Sequence, residues 1–265
     1  MTGDPQALQA LFGLDGTVAV VTGGAGLYGR HIAEALAVAG AHVVLAARNA
    51  EACAEAADAL AGQGFAASAH ALDIADEASV RALRDELLDR FGRVDVLVNN
   101  AVARAGSDID RTSAADWEAT SRVNSLGLFL MTREFGRAMV DRGTGSVINI
   151  ASIYGMVGPD FAIYGQSGMT SPAFYAYDKG GMINFTRYAA SYYAPHGVRV
   201  NCLSPGGLAT DDQPAEFVAN YSAKAPLGRL AGPEDIKGAV VFLASPASGY
   251  VTGVNLPVDG GWTIR

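Results

Sequence analysis

The chain has 265 residues, half of them hydrophobic and 17% charged, with a formal net charge of −8. That length suits one large α/β domain able to bury roughly three quarters of the surface its unfolded chain exposes, which excludes an intrinsically disordered protein. The acidic balance speaks against a nucleic-acid or anionic-membrane surface, because binding phosphate arrays needs clustered Lys and Arg.

The two cysteines, Cys53 and Cys202, stand far apart with no CxxC spacing, a usage that fits a reducing cytosol better than a disulfide-stapled secreted protein. The N-terminal residues carry Asp4 and no basic region leading into an apolar run, so neither signal peptide nor membrane anchor is read there, and the expected localisation is cytoplasmic.

In chain order, residues 1–15 read as an N-terminal extension. The Val-rich run Thr17–Val21 then has the continuous apolar character of a strand buried on both faces, which implies a parallel sheet. Thr22–Gly23–Gly24–Ala25–Gly26–Leu27–Tyr28–Gly29 follows, leading into the helix-like run Arg30–Leu36. A strand, a glycine turn and a helix start form a pyrophosphate cradle, since bare backbone lets the ligand approach N–H groups at the positive helix end. The next strand, from His42, ends at Ala47–Arg48–Asn49, where NAD binding would call for an acidic residue on the adenine ribose. Ala47 leaves that space uncharged and Arg48 can pair with a 2′-phosphate, so NADP(H) is favoured, with NAD(H) as the alternative.

A helix over Glu51–Leu60, a strand over Phe65–Leu72, a helix over Asp76–Phe91 and a strand over Val94–Val98 continue the βα alternation. The second half predicts a long helix over Ala115–Val140, a strand over Ser146–Ile150, an irregular excursion over Gly155–Pro172, a helix over Ala173–Tyr193 and a strand over Val198–Asn201. The expected fold is a single-domain, Rossmann-type doubly wound parallel sheet of about seven strands with helices on both faces.

Tyr175–Ala176–Tyr177–Asp178–Lys179 is the most specific signal. Positions i and i+4 share a helix face, so Tyr175 and Lys179 reach a common site, whereas Tyr177 points elsewhere. An ammonium near a phenol favours the phenolate, which suits proton exchange with a substrate oxygen. Ser152, at the end of a predicted strand, supplies a hydroxyl for the same oxygen.

From about Gly16 to Thr263 the chain resembles the short-chain dehydrogenase/reductase family, in its single-domain form. The glycine turn Thr22–Gly29, Asp73 and Ile74 after the third strand, the turn Asn99–Asn100–Ala101, and Asn124, Ser152, Tyr175 and Lys179 carry the resemblance, with Pro205–Gly206–Gly207–Leu208–Ala209–Thr210 and Val258–Asp259–Gly260–Gly261 further on. The resemblance implies that Tyr175 is the acid/base, that Ser152 positions the substrate oxygen, and that Lys179 also holds the nicotinamide ribose. It further implies that Asn124 holds a proton-relay water through its backbone, that Asp73 contacts adenine, and that Leu208 (backbone) and Thr210 (hydroxyl) grip the carboxamide. A homotetramer, or a dimer, is the implied assembly.

Three departures stand out. Leu27 occupies the usual second glycine, Val102 replaces a glycine after Ala101, and Tyr175 lies 23 positions after Ser152, a longer spacing than is usual in the family. The extra loop is similar to one in oxidoreductases of bacterial sugar and nonulosonic-acid pathways, which suggests a polyhydroxylated substrate; packing of this loop on a neighbouring subunit is the alternative. Residues 153–172 and 208–227 read as substrate-side loops. The second reads as a mobile lid whose Asp211–Asp212 pair either disfavours an anionic substrate at that edge or simply solvates the loop, the latter being the reading to be preferred.

No GxSxG turn or P-loop is present, and the scattered His31, His42, His70 and His196 have no metal-ligand spacing, so no metal is expected. The expected activity is hydride transfer between NADP(H) and a small-molecule carbonyl or secondary alcohol. Two rivals stay open: an NADP(H)-binding sensor or scaffold without turnover, and an epimerase or dehydratase using the cofactor transiently.

Overall fold

The computed structural model describes residues 5–264. The first half runs α1 (Pro5–Phe12), β1 (Val18–Thr22), α2 (Leu27–Val38), β2 (His42–Ala47), α3 (Ala50–Ala61), β3 (Ala67–Ala71), α4 (Glu77–Phe91) and β4 (Val96–Asn99). The second half runs α5 (Ala114–Ser121), a π turn (Arg122–Gly127), α6 (Leu128–Arg142), β5 (Gly145–Ile150), α7 (Ala173–Tyr193), β6 (Val198–Pro205), α8 (Ala215–Lys224), α9 (Lys237–Ala244) and β7 (Asn255–Val258).

Seven parallel strands form one sheet in the order β3-β2-β1-β4-β5-β6-β7. Every residue of β1 and β4 is buried, because helices cover both faces; that burial is why these strands read as continuous apolar runs. One face packs Ile32, Leu36, Leu45 and Val240, and the other packs Leu87, Leu97, Met131 and Phe135.

The helix ends follow local chemistry. The Asp76 carboxylate accepts from Ala78 N–H to start α4, and Gly92, at φ +67°, ends it in the left-handed conformation.

Four expectations change. The strand predicted over Phe65–Leu72 shrinks to Ala67–Ala71, a sheet-edge strand that is only half-buried. The helix predicted without interruption over Ala115–Val140 is broken by the π turn, where a Cβ on Gly127 would lie 2.7 Å from the Ile74 side chain. The predicted loop 208–227 contains α8, and part of the N-terminal extension is helical as α1. Hydrophobic periodicity cannot report a hydrogen-bond shift from i+4 to i+5.

Candidate active site

Strand order reverses between β1 and β4, and the crevice outside their carboxyl ends is where doubly wound sheets bind ligands. The glycine turn lies there. Gly23 has φ +63°, and a Cβ on Gly29 would fall 2.1 Å from the Gly23 carbonyl oxygen, so the turn closes only on bare backbone. Gly26, the N-cap of α2, offers no side-chain cap, which leaves first-turn N–H groups for a ligand. This arrangement fits a dinucleotide pyrophosphate.

Thr22 and Asn100 hold the turn from behind. The Thr22 hydroxyl accepts from Asn100 N–H and Ala101 N–H, both at 3.0 Å, and the Asn100 amide donates to the Thr22 and Gly23 carbonyls at 3.0 and 3.1 Å. Tyr28 donates its hydroxyl to the Gly206 carbonyl at 2.9 Å, joining the turn to the segment after β6, and burial pushes its phenol pKa up.

At the end of β2, Asn49 caps α3 by accepting from Ala52 N–H at 3.1 Å, while Arg48 is exposed. Asp73 accepts from Ala75 N–H at 2.9 Å and Ile74 packs at the π turn, so both shape the corner after β3.

A cavity of about 440 Å³ continues from the glycine turn to Ser152, Tyr175 and Lys179, and also reaches Ala101, Pro205, Gly206 and Leu208. Thr22, Gly29, Arg48, Asn49, Asp73, Ile74, Asn124 and Thr210 lie outside its lining. Ser152 accepts from Tyr154 N–H at 3.2 Å, an arrangement that leaves its own proton free to be donated. Lys179 is buried, donates to the Ile150 carbonyl at 2.6 Å, and holds its ammonium 5.7 Å from the Tyr175 ring centre. Burial lowers the Lys179 pKa, and Tyr175 opposes that shift.

The Asn124 side chain is a clamp. It accepts from Ala103 N–H at 2.8 Å and donates to the Ala103 carbonyl at 3.1 Å and to Asp178 at 2.8 Å. Burial raises the Asp178 pKa, and hydrogen bonds from Asn124 and Ser125 oppose it. Thr210 N–H donates to Gln213, whose amide donates to the Leu208 carbonyl at 2.9 Å.

The long segment before α7 forms two short 3₁₀ turns, Ile153–Gly155 and Phe161–Tyr164, and packs on α8 of the same chain. Tyr164 stacks on Phe217 with centroids 5.8 Å apart, Tyr221 stacks on Trp262 at 4.3 Å, and Glu216 accepts from Gln166 N–H at 3.0 Å. Lys224 pairs with Asp160. Tyr177 is exposed and packs on Trp117, away from the cavity, as its place on the helix requires.

A family model described as enoyl-(acyl carrier protein) reductase matches residues 26–263. The chain belongs to the short-chain dehydrogenase/reductase family. D-threitol dehydrogenase of Mycolicibacterium smegmatis is 36% identical over 260 residues, 96% of this chain and 95% of that protein. Galactitol 2-dehydrogenase (L-tagatose-forming) of Cereibacter sphaeroides is 38% identical over 264 residues, 97% and 98% of the two chains. The crystal structure of a gluconate 5-dehydrogenase from Burkholderia cenocepacia, in complex with NADP and tartrate, superposes with a TM-score of 0.87 at 35% identity, covering 97% of this chain and 99% of that one. As a short-chain dehydrogenase/reductase, this protein is an oxidoreductase. Among the described residues no helix is long and apolar enough to cross a membrane, and no group of three or more His, Cys, Asp or Glu is placed to hold a metal.

Sequence reading of this short-chain dehydrogenase/reductase placed Ser171 in the substrate-side loop 153–172 and Gln213, Phe217 and Tyr221 in the loop 208–227 without singling out their side chains; these four and Arg104, which it did not name, line the cavity. The docking of the long segment on α8 brings the two loops together. Phe217→Ala removes the ring beneath Tyr164, and because Phe217 is buried in this satellite cluster the expected loss of stability is about 3 kcal/mol. Equilibrium urea unfolding measures it; an unchanged midpoint would show that the cluster lies outside the cooperative fold.

Proposed function

We propose that this enzyme interconverts a secondary alcohol and a carbonyl on a polyol or sugar-like substrate, with NADP(H) as the favoured dinucleotide and Tyr175 as acid/base. The observation that carries the reading is one cavity in which Ser152, Tyr175 and Lys179 meet the bare glycine turn of α2. Two named relatives, acting on D-threitol and galactitol, support the substrate class.

When bound, the nicotinamide supplies or accepts the hydride. Gly23, Gly26, Leu27, Tyr28 and Gly29 would hold its pyrophosphate, Arg48 and Asn49 would flank the adenine ribose, and Asp73 and Ile74 would border adenine. Asn100 and Ala101 would lie beside the cofactor, Pro205, Gly206, Leu208 and Thr210 would grip the carboxamide, and Lys179 would hold the nicotinamide ribose. Tyr175 gives its phenolic proton to the substrate oxygen in reduction and recovers it in oxidation. Ser152, its oxygen already engaged by Tyr154 N–H, donates to the same oxygen and orients it. Lys179 holds its ammonium beside the Tyr175 ring, and Asn124 serves the proton path through its main chain in the π turn.

The reading is tested by following NADPH consumption and NADP⁺ reduction across alditols, ketoses, aldoses, steroids and simple ketones. Turnover on alditols and their ketoses is expected. Tight cofactor binding with no turnover on any would favour a sensor, and cofactor retained unexchanged through purification would favour an epimerase or dehydratase.

Cofactor choice carries its own prediction. Ala47→Asp combined with Arg48→Ile installs a ribose hydroxyl acceptor and removes the cation at the 2′ position, so preference moves toward NAD(H) by about tenfold or more. Steady-state kinetics with both cofactors measures it, and unchanged selectivity would exclude Arg48 as the phosphate partner.

A further inference from the structure

Resting on the polyol reading above, we infer that Arg104 forms a subsite for an anionic terminal group, so that among polyhydroxy substrates a carboxylate or a sugar phosphate is preferred over a neutral alditol. Arg104 is exposed and lines the cavity, with its guanidinium carbon 5.5 Å from the Tyr175 ring centre. Among the described residues it makes no ion pair or hydrogen bond, whereas Arg93, Arg111 and Arg229 are paired with Asp95, Asp108 and Asp235. Two cations, Arg104 and Lys179, line the cavity, and no carboxylate does. Asp211 and Asp212, which in the sequence argued against an anion at the rim, lie outside that lining. A planar guanidinium with five donors and nothing to donate to, beside the reacting hydroxyl, matches carboxylate or phosphate oxygens.

The site is built. Asn124 grips both the N–H and the carbonyl of Ala103, one residue before Arg104, and Asp178, on the helix that carries Tyr175, grips Asn124. Arg104 is thereby registered against Tyr175, which reduces the ordering cost of binding.

The wall formed by the long segment supplies the other half of the recognition. The Ser171 hydroxyl is buried at the cavity and closes no hydrogen bond, although it is near enough to the Tyr164 phenol to oppose the rise of that group's pKa. The Tyr154 and Tyr164 hydroxyls lie 3.3 Å apart on the same wall. Hydroxyls and a free cation lining one cavity call for a substrate bearing several alcohols and one charge.

The test uses three six-carbon probes, D-gluconate, D-glucitol 6-phosphate and D-glucitol, measured for NADP⁺-linked oxidation and, separately, for binding by calorimetry. Wild type is expected to favour at least one anionic probe over D-glucitol by about tenfold or more in kcat/KM or Kd, the scale of one charge-assisted hydrogen bond. Which anion is favoured separates carboxylate from phosphate. Arg104→Gln should collapse that preference toward unity through KM, with NADPH affinity and thermal midpoint unchanged, and Arg104→Lys should restore part of it. Equal or better handling of D-glucitol by wild type would overturn the subsite, as would a uniform fall in kcat on every probe in Arg104→Gln, or a fall in NADPH affinity instead. Absence of turnover on all three probes counts against the polyol reading, and the calorimetric comparison then decides the subsite by itself.

Discussion

Tyr175→Phe is expected to lower kcat by about a thousandfold while leaving cofactor affinity within about twofold of wild type, the range in which a positioned acid/base contributes. The substitution removes one oxygen and keeps the ring over which Lys179 and Arg104 sit, so the packing of α7 and the electrostatics around the ring are preserved. Stability should therefore hold, and the loss should fall on the proton step. Tyr177→Phe is the matched control: Tyr177 is exposed, packs tilted against Trp117 with ring centroids 5.4 Å apart, and should be silent. Single-turnover NADPH oxidation together with fluorescence titration of NADPH separates chemistry from binding. Turnover in Tyr175→Phe within tenfold of wild type would remove Tyr175 from the acid/base role.

Gly29→Ala is expected to weaken cofactor binding by a hundredfold or more. Helix propensity alone predicts the opposite sign, because Ala in a helix is favoured over Gly by about 1 kcal/mol. The added Cβ would fall 2.1 Å from the Gly23 carbonyl oxygen and 2.9 Å from the Asn100 amide nitrogen, and the former is main chain that cannot rotate aside. Relief requires moving Gly23, whose left-handed φ of +63° sets the turn, or breaking the Asn100 bonds that pin it. Either path deforms the bare backbone on which a pyrophosphate would rest. Calorimetric titration with NADPH, accompanied by circular dichroism to verify folding, measures the effect; affinity within tenfold of wild type in a folded variant would show that the turn can relax.

Most of the inner strands were legible because a sheet covered on both faces demands apolar runs, and β1, β2, β4 and β5 are largely such runs. The edge strand β3 was misjudged in extent since half of its environment is solvent. The boundaries of α7 coincided with the expectation, Pro172 standing just before the helix and the Tyr175–Lys179 pair lying within its first turns. The π turn was not legible: a change of hydrogen-bond partner leaves the apolar pattern nearly intact, and the close approach of Ile74 to Gly127 within it joins residues distant in the chain.

By itself the sequence determined the doubly wound sheet, the glycine turn at the head of α2 and the shared helix face of Tyr175 and Lys179, because each depends on local spacing that propensity and helix geometry translate directly into position. Only the tertiary structure decided what surrounds them. It turned Asn124 into a clamp on Ala103 through Asp178, brought Arg104 over Tyr175, and folded the long segment onto α8 so that Tyr164, Ser171 and Phe217 form one wall. Those contacts join side chains far apart in sequence, and their energies come from burial and hydrogen bonds that exist only once the sheet has placed its loops at the same crevice.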